Sequence, residues 1–309
     1  MTLIVRDLRA ADPADAEAFV EVRRLALPFM VSTTASLLHD ATHATPEAHY
    51  QRLVAEADGE VIGTVQMGIA DDSPVPGQGY LNVYVHPDHP RRGAGGLLVR
   101  TAEERLTAVG ARRLLSWVLD TPEDRAFAER RGYTPSRSAH FLRLDLAHGT
   151  LPPLQAPPTG VELRTVADFA DDPRPLFDLD AEASADEPGD LDAEFDDYER
   201  WLGETYGHPL LDHALSTVVV ADGTPVAFTV VRTDGRDRYF TGMTGTARAF
   251  RGRGLARLAK NDSLHRARAA GYTEAFTGND AGNGPMLAVN KWFGYEVCAT
   301  EVRYVRELD

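Results

Sequence analysis

Apolar and polar positions along the 309-residue chain run through one succession of patterns twice. IVRDLRAADPADAEAFVEVRRLAL near the start reads as strand, turn and helix, and VELRTVADFADDPRPLFDLDAEA repeats that order in the second half. LVAEADGEVIGTVQMGI and VVVADGTPVAFTVVRT are each a hairpin about an Asp-Gly pair, a dipeptide suited to a tight reversal. YLNVYVHPDHPRRGAGGLLVRTAEERL and YFTGMTGTARAFRGRGLARLAKNDSLHRA each give a strand, an arginine–glycine turn and a helix, the second helix running from about Leu255 to Ala270. FAERRGYTPSRSAHFLRLDL and NKWFGYEVCATEVRYVREL each close their half with a helix end, a glycine turn and a last strand.

The register of these blocks supports a duplication. Gly59 and Gly223 in the hairpins lie 164 residues apart, Gly93 and Gly254 in the turns 161, and Gly132 and Gly294 before the last strands 162. A period this long, present in only two copies, excludes a solenoid. AHGTLPPLQAPPTG breaks both periodicities with proline and glycine and reads as an extended linker. The expected organisation is an N-terminal domain over 1–147, a Pro-rich linker over 148–160 and a C-terminal domain over 161–309. The expected fold class is α/β (α+β), with a mixed, mostly antiparallel sheet flanked by helices in each domain.

Composition narrows the function classes. A net charge of −15 opposes a phosphate backbone over most of the surface, so a nucleic-acid partner is not expected. Arginine clusters within this acidic field can still collect a small anion. Cys298 is the single cysteine, which excludes an intrachain disulfide and a Cys-based metal framework. No signal-peptide core or long uncharged run appears, so the expectation is a cytoplasmic monomer or homodimer with no membrane partner.

The chemistry lies in the arginine–glycine turns. Arg251, Gly252, Arg253, Gly254, Leu255 and Ala256 stand between a strand and a helix start, where small residues let backbone N–H groups approach a phosphate. Both arginines stay charged at any working pH. Arg91, Arg92, Gly93, Ala94, Gly95 and Gly96 occupy the matching place in the first half. Neither turn is a dinucleotide fingerprint or a P-loop, since the third glycine and the Gly-Lys-Ser/Thr are missing.

The second turn resembles the acetyl-CoA pyrophosphate loop of the GNAT N-acetyltransferases, an Arg/Gln-x-x-Gly-x-Gly/Ala pattern, and the resemblance covers nearly the whole chain twice. In the first half Pro90 stands where the family has Gln or Arg, which removes a side chain and a backbone N–H. The resemblance implies acetyl-CoA as co-substrate and no metal. It implies that two parallel strands splay around the pantetheine arm, with the thioester carbonyl near Met243, Thr244 or Gly245 in the second half, or Val83 to Val85 in the first. Asn279 and Asn283 would lie along that arm, where their amides can bond to it; as isolated residues they read as turn and cap.

Many members of this family carry a tyrosine four residues before the late glycine, as acid for the leaving thiolate. Here those positions are Asn290 and Ala128. Tyr239, Tyr272, Tyr295 or water are left as proton donors. The acceptor segment of the second half is dense in carboxylates. Glu182, Asp186, Glu187 and Asp190 form either a pocket for a cationic amine, with one carboxylate as base, or a solvated acidic face. His39, His43 and His49 in the matching first-half segment lack carboxylate or Cys partners and read as exposed histidines rather than metal ligands. The expected activity is transfer of an acetyl group to a primary amine of a small molecule by direct attack in a ternary complex, with the chemistry in the second half. A non-catalytic acyl-CoA-binding or regulatory protein, or acetylation of a peptide amine, stand as alternatives.

Overall fold

The chain order of elements begins with β1 (Leu3–Asp7), α1 (Pro13–Ala26), α2 (Thr34–His43), β2 (Gln51–Ala57), β3 (Glu60–Ile69), β4 (Gln78–Val85), α3 (Ala94–Ala108), β5 (Arg113–Leu119), α4 (Pro122–Glu129) and β6 (Thr134–Asp145). It continues with β7 (Val161–Thr165), α5 (Arg174–Ser184), α6 (Tyr198–Trp201), β8 (Thr217–Ala221), β9 (Thr224–Thr233), β10 (Arg238–Thr246), α7 (Leu255–Ala269), β11 (Glu274–Asp280), α8 (Gly284–Phe293) and β12 (Glu296–Glu307). The computed structural model describes residues 2–186 and 197–308. Local chemistry explains many boundaries. Asp58-Gly59 and Asp222-Gly223 are left-handed at both residues, the backbone of a type I′ hairpin, and they reverse β2 into β3 and β8 into β9. Asp12 caps α1 ahead of Pro13, and Thr33 and Ser36 form a capping box at α2.

The chain divides into two compact units, Met1–Ala139 with Ala299–Asp309, and His140–Cys298. In the first unit the strand order is β1-β2-β3-β4-β5-β12. There β4 and β5 run parallel, and the other neighbouring pairs in this order are antiparallel. Leu53, Ile62, Val65 and Leu81 of the sheet meet Leu98, Ala102 and Leu106 of α3 in one buried core. Each leucine or isoleucine so enclosed contributes about 1.5–3 kcal/mol.

In the second unit the order is β6-β11-β10-β9-β8-β7, with β10 and β11 parallel. Val219, Val226 and Ala227 pack against Leu255, Leu258 and Ala259 of α7. α7 is buried over more than one face, because the Pro-rich segment lies along it. The Gln155 N–H donates to Asn261 Oδ1 at 2.8 Å, His265 Nε2 lies 2.9 Å from the Pro152 carbonyl, and Arg268 Nε donates to the Leu146 carbonyl at 2.7 Å. The segment expected as a linker is therefore anchored to the second unit.

The compact units differ from contiguous halves in their last strands. β12 pairs with β5 over Glu301–Glu307, and its Val302 and Tyr304 complete the first core. Leu142 and Leu144 at the end of β6 join Tyr239, Ala275 and Phe293 in the second. Each half was expected to close with its own last strand. Both strands are 12 residues long, exposed at the start and buried toward the end, so their pattern does not specify which sheet they join.

Candidate functional site

The parallel pairs set the geometry. β10 and β11 are in register from Arg238–Glu274 to Thr241–Thr277 and then part; β4 and β5 pair from Gln78–Arg113 to Tyr80–Leu115 and then part. Beyond those points each unit has two splayed strands. In the second, β10 carries a bulge between Thr241 and Met243, centred on Gly242, while β4 runs against β3 without one. A bulge leaves an extra backbone unit outside the ladder and re-aims its groups. Met243, Thr244 and Gly245 follow it, paired with β9 through Val230, Thr229 and Phe228. Gly245 has no room for a side chain, as an added Cβ would lie 2.6 Å from Ala183 Cβ.

Val83 and Val85 occupy the matching stretch of β4, half-buried against the first core. There the gap is bridged. The Trp117 N–H of β5 donates to Asn82 Oδ1 of β4 at 3.0 Å, and Arg137 and Arg303 stack over the Trp117 ring at 5.4 and 4.5 Å. In the register of the second unit, Asn82 and Trp117 correspond to Met243 and Asn279. Methionine offers no such bridge.

Both arginine–glycine turns lead into a long helix that starts on a left-handed glycine with no side-chain cap, Gly93 before α3 and Gly254 before α7. The first N–H groups of each helix are left for a ligand, unlike those of α1, α2, α4 and α8, whose caps come from Asp12, Thr33, Thr121 and Asn283. In the second turn Gly252 adopts φ +75, and Arg91 takes the equivalent place in the first with φ +59, a left-handed conformation that is uncommon for a side-chain-bearing residue. Arg251, Gly252, Arg253 and Gly254 are exposed, with Leu255 buried and Ala256 half-buried behind them. Arg253 lies over the Phe250 ring at 4.8 Å, and Arg251 Nε donates to the Thr246 carbonyl at 3.1 Å. In the first turn Arg91 and Arg92 are exposed too, but Phe127 packs on Gly95 at 3.4 Å from an added Cβ, and Arg131 stands 3.0 Å from one on Gly96.

Glu182 of α5 and Asp186 just beyond its end engage the second turn and the Arg248 segment before it. Asp186 accepts from Arg248 Nε at 2.8 Å and from its Nη2 at 2.9 Å, and pairs with Arg251 Nη2 at 2.7 Å. Hydrogen bonds from Arg248 and Arg251 hold its carboxyl well below the usual range, which makes it a weak base. Glu182 Oε1 accepts from the Arg248 N–H at 2.7 Å. Glu187 and Asp190 lie outside the described residues. Tyr239 is enclosed in the second core, fully buried, its hydroxyl 2.8 Å from Ser263 Oγ and its pKa pushed up to about 12 by desolvation. A phenol so enclosed does not reach a thiolate in the gap, contrary to the expectation that it serves as acid. Tyr295 is likewise buried. His39 and His43 stack on each other at 3.9 Å on α2, and His49 is an exposed turn residue.

Asn283 caps α8, accepting from the Met286 N–H at 3.2 Å. Asn279 ends a chain that no local pattern announces. Lys260 of α7 is wholly buried and donates to Asn290 Oδ1 at 2.5 Å; Asn290 Nδ2 donates to Asn279 Oδ1 at 2.5 Å. Lys260 Nζ also sits 4.9 Å from the Tyr295 ring centroid, and desolvation alone brings its pKa down to about 7. Lys260, Asn82 and Arg248 all escape sequence reasoning, because their partners are 30, 35 and 62 residues away.

A family model described as the acetyltransferase (GNAT) family matches residues 18–133 and 175–295. A mycothiol acetyltransferase from Kineococcus radiotolerans is 31% identical over 259 residues, covering 82% of this chain and 80% of that protein. One from Frankia casuarinae is 36% identical over 152 residues, 49% of this chain and 42% of that protein. Among solved structures, a tandem GNAT protein from the clavulanic acid biosynthesis pathway superposes with a TM-score of 0.74 at 22% identity, covering 99% of this chain and 98% of that one. A GCN5-related N-acetyltransferase from Sphaerobacter thermophilus gives 0.72 at 22% identity, covering 99% and 95%. No helix among the described residues is long and apolar enough to cross a membrane.

Proposed function

The chain belongs to the acetyltransferase (GNAT) family and is an acetyltransferase, and from that premise we propose that it moves the acetyl group of acetyl-CoA to a primary amine of a small molecule, with the chemistry in the second unit. The observation that carries this reading is the contrast between the two gaps. Between β10 and β11 the strands part after a bulge at Gly242, whereas Asn82 bridges β4 to Trp117 of β5. Arg251, Arg253 and the uncapped start of α7 would take the pyrophosphate, and backbone N–H groups in the stretch Gly242 to Gly245 would face the thioester oxygen. In a ternary complex the amine nitrogen attacks the carbonyl carbon, the C–S bond breaks, the amine loses a proton to solvent or a base, and the thiolate takes one up. Asp186, whose carboxylate is bound by two arginines, serves the turn in this reading, and Glu182 holds the Arg248 backbone. The first unit acts as a scaffold, its turn altered by Pro90. The relatives' name, mycothiol acetyltransferase, favours a small-molecule acceptor over a peptide.

Calorimetric titration with acetyl-CoA should count one cofactor per chain, and a panel of small amines should release CoA with time. Arg253→Glu should abolish both signals and Arg92→Glu should leave them. Unchanged binding in Arg253→Glu would move the site to the first unit.

A further inference from the structure

The chain Lys260–Asn290–Asn279 joins the core beneath α7 to β11 two residues past its last pairing with β10. Its polarity follows from the chemistry of its first member. Lys260 Nζ donates to Asn290 Oδ1, and its ammonium form, held below about pH 7, has only donors, so there the Asn290 atom that meets it must be the carbonyl oxygen. The other end of Asn290 is then a donor, and the Asn279 atom that meets it must also be oxygen. Asn279 is left with its Nδ2 hydrogens for a partner outside this chain, and its place on β11, two residues past the last pairing with β10, sets it where those strands part. A solitary asparagine at this place would present either end, since the two ends of the amide are nearly alike in shape. We infer that Lys260 is a positioning residue for the acyl-CoA arm: through Asn290 it fixes the Asn279 amide so that Nδ2 donates to a carbonyl of the pantetheine chain lying between β10 and β11. The inference rests on the proposed use of the second unit.

The bland reading is a polar plug between α7 and α8. It does not explain the choice of residue. A wholly buried amine with no carboxylate partner among the described residues is costly, and Leu or Met would fill the same volume without that cost. What only the lysine supplies is direction. Asn290 stands at the position where many family members have their acid, but it is fully buried with both ends of its amide engaged, so it relays orientation and cannot itself protonate a leaving group.

The test separates the two halves of the cofactor. Full-length protein is titrated calorimetrically at pH 6, where Lys260 is protonated, with acetyl-CoA and with 3′-phospho-ADP, which carries the phosphates and lacks the arm. Lys260→Met and Asn279→Ala are each expected to weaken acetyl-CoA about tenfold and to leave 3′-phospho-ADP within about twofold, with the double variant no weaker than either single one. Lys260→Gln, which keeps an N–H donor toward Asn290, is expected to recover part of the loss. Acetyl-CoA affinity unchanged in folded Lys260→Met or in Asn279→Ala would overturn the inference, as would equal losses for both ligands or single losses that multiply in the double variant. Asn279→Ala decides by itself if Lys260→Met does not fold. Wild-type protein that binds neither ligand would instead overturn the acyl-CoA reading on which the inference rests.

Discussion

Replacing Lys260 by methionine should change how stability depends on pH, and the direction can be worked out from burial. Lys260 loses its proton near pH 7 in the native state instead of near 10.5, because burial takes it out of water and no ion-pair partner stands among the described residues. Between those values the unfolded chain binds the extra proton, so stability rises with pH across that window and levels off below it. At about 1.4 kcal/mol per pH unit, the wild-type protein carries a penalty of about 5 kcal/mol at pH 6, about 2 at pH 9 and about 1 at pH 10. Methionine, unbranched and similar in volume, removes this slope but leaves Asn290 Oδ1 without its donor, at a cost of about 1–3 kcal/mol. The Lys260→Met variant should therefore be the more stable protein at pH 6 and the less stable one at pH 10, with the curves crossing at about pH 9. Urea unfolding followed by circular dichroism at pH 6, 7, 8, 9 and 10 measures both curves, and groups common to the two proteins cancel in the difference. Curves that stay parallel from pH 7 to 10 would mean that native Lys260 keeps its proton throughout, and the desolvation account would fail.

Other expectations follow from single contacts. Gly245→Ala places a Cβ 2.6 Å from Ala183 and 2.8 Å from Phe228, so thermal unfolding should show a loss of about 1–3 kcal/mol from overpacking. Asp186→Asn frees Arg251 from an exposed ion pair, so 3′-phospho-ADP should bind about two- to fivefold tighter, and weaker binding would mean that Asp186 organises the turn for its ligand. Tyr239→Phe removes a buried hydrogen bond to Ser263 and should cost about 1 kcal/mol of stability while CoA release continues at the wild-type rate. A stable but inactive Tyr239→Phe protein would restore the phenol as the acid.

Features set by neighbours in sequence were readable, and those set by distant chain were not. The Asp58-Gly59 and Asp222-Gly223 hairpins, the two turns and the start of α7 at Leu255 depend on residues within one turn of one another. Placement of the closing strands depends on which open edge each meets, and their shared length and graded burial carry no such information. Burial of Lys260 escapes a helical pattern because residues before β7 lie along α7 and leave it little solvent-facing surface. Glu182 and Asp186 read as either a pocket or a solvated face because their segment is acidic, but Arg248, which engages both, looked like one more arginine beside the turn.

The position of β12 has a consequence for synthesis. The sheet of the first unit takes up Glu301–Glu307 beside β5, so when residues 1–139 have left the ribosome their hydrophobic layer still has an open edge. That edge waits while about 160 further residues are made, and the pairing that closes it is among the most non-local in the molecule. An open strand edge is also a template for a second chain. Synthesis of Glu301–Glu307, rather than completion of the first half, is then the step that commits the first unit to its fold, and residues 1–147 made alone should accumulate as aggregates.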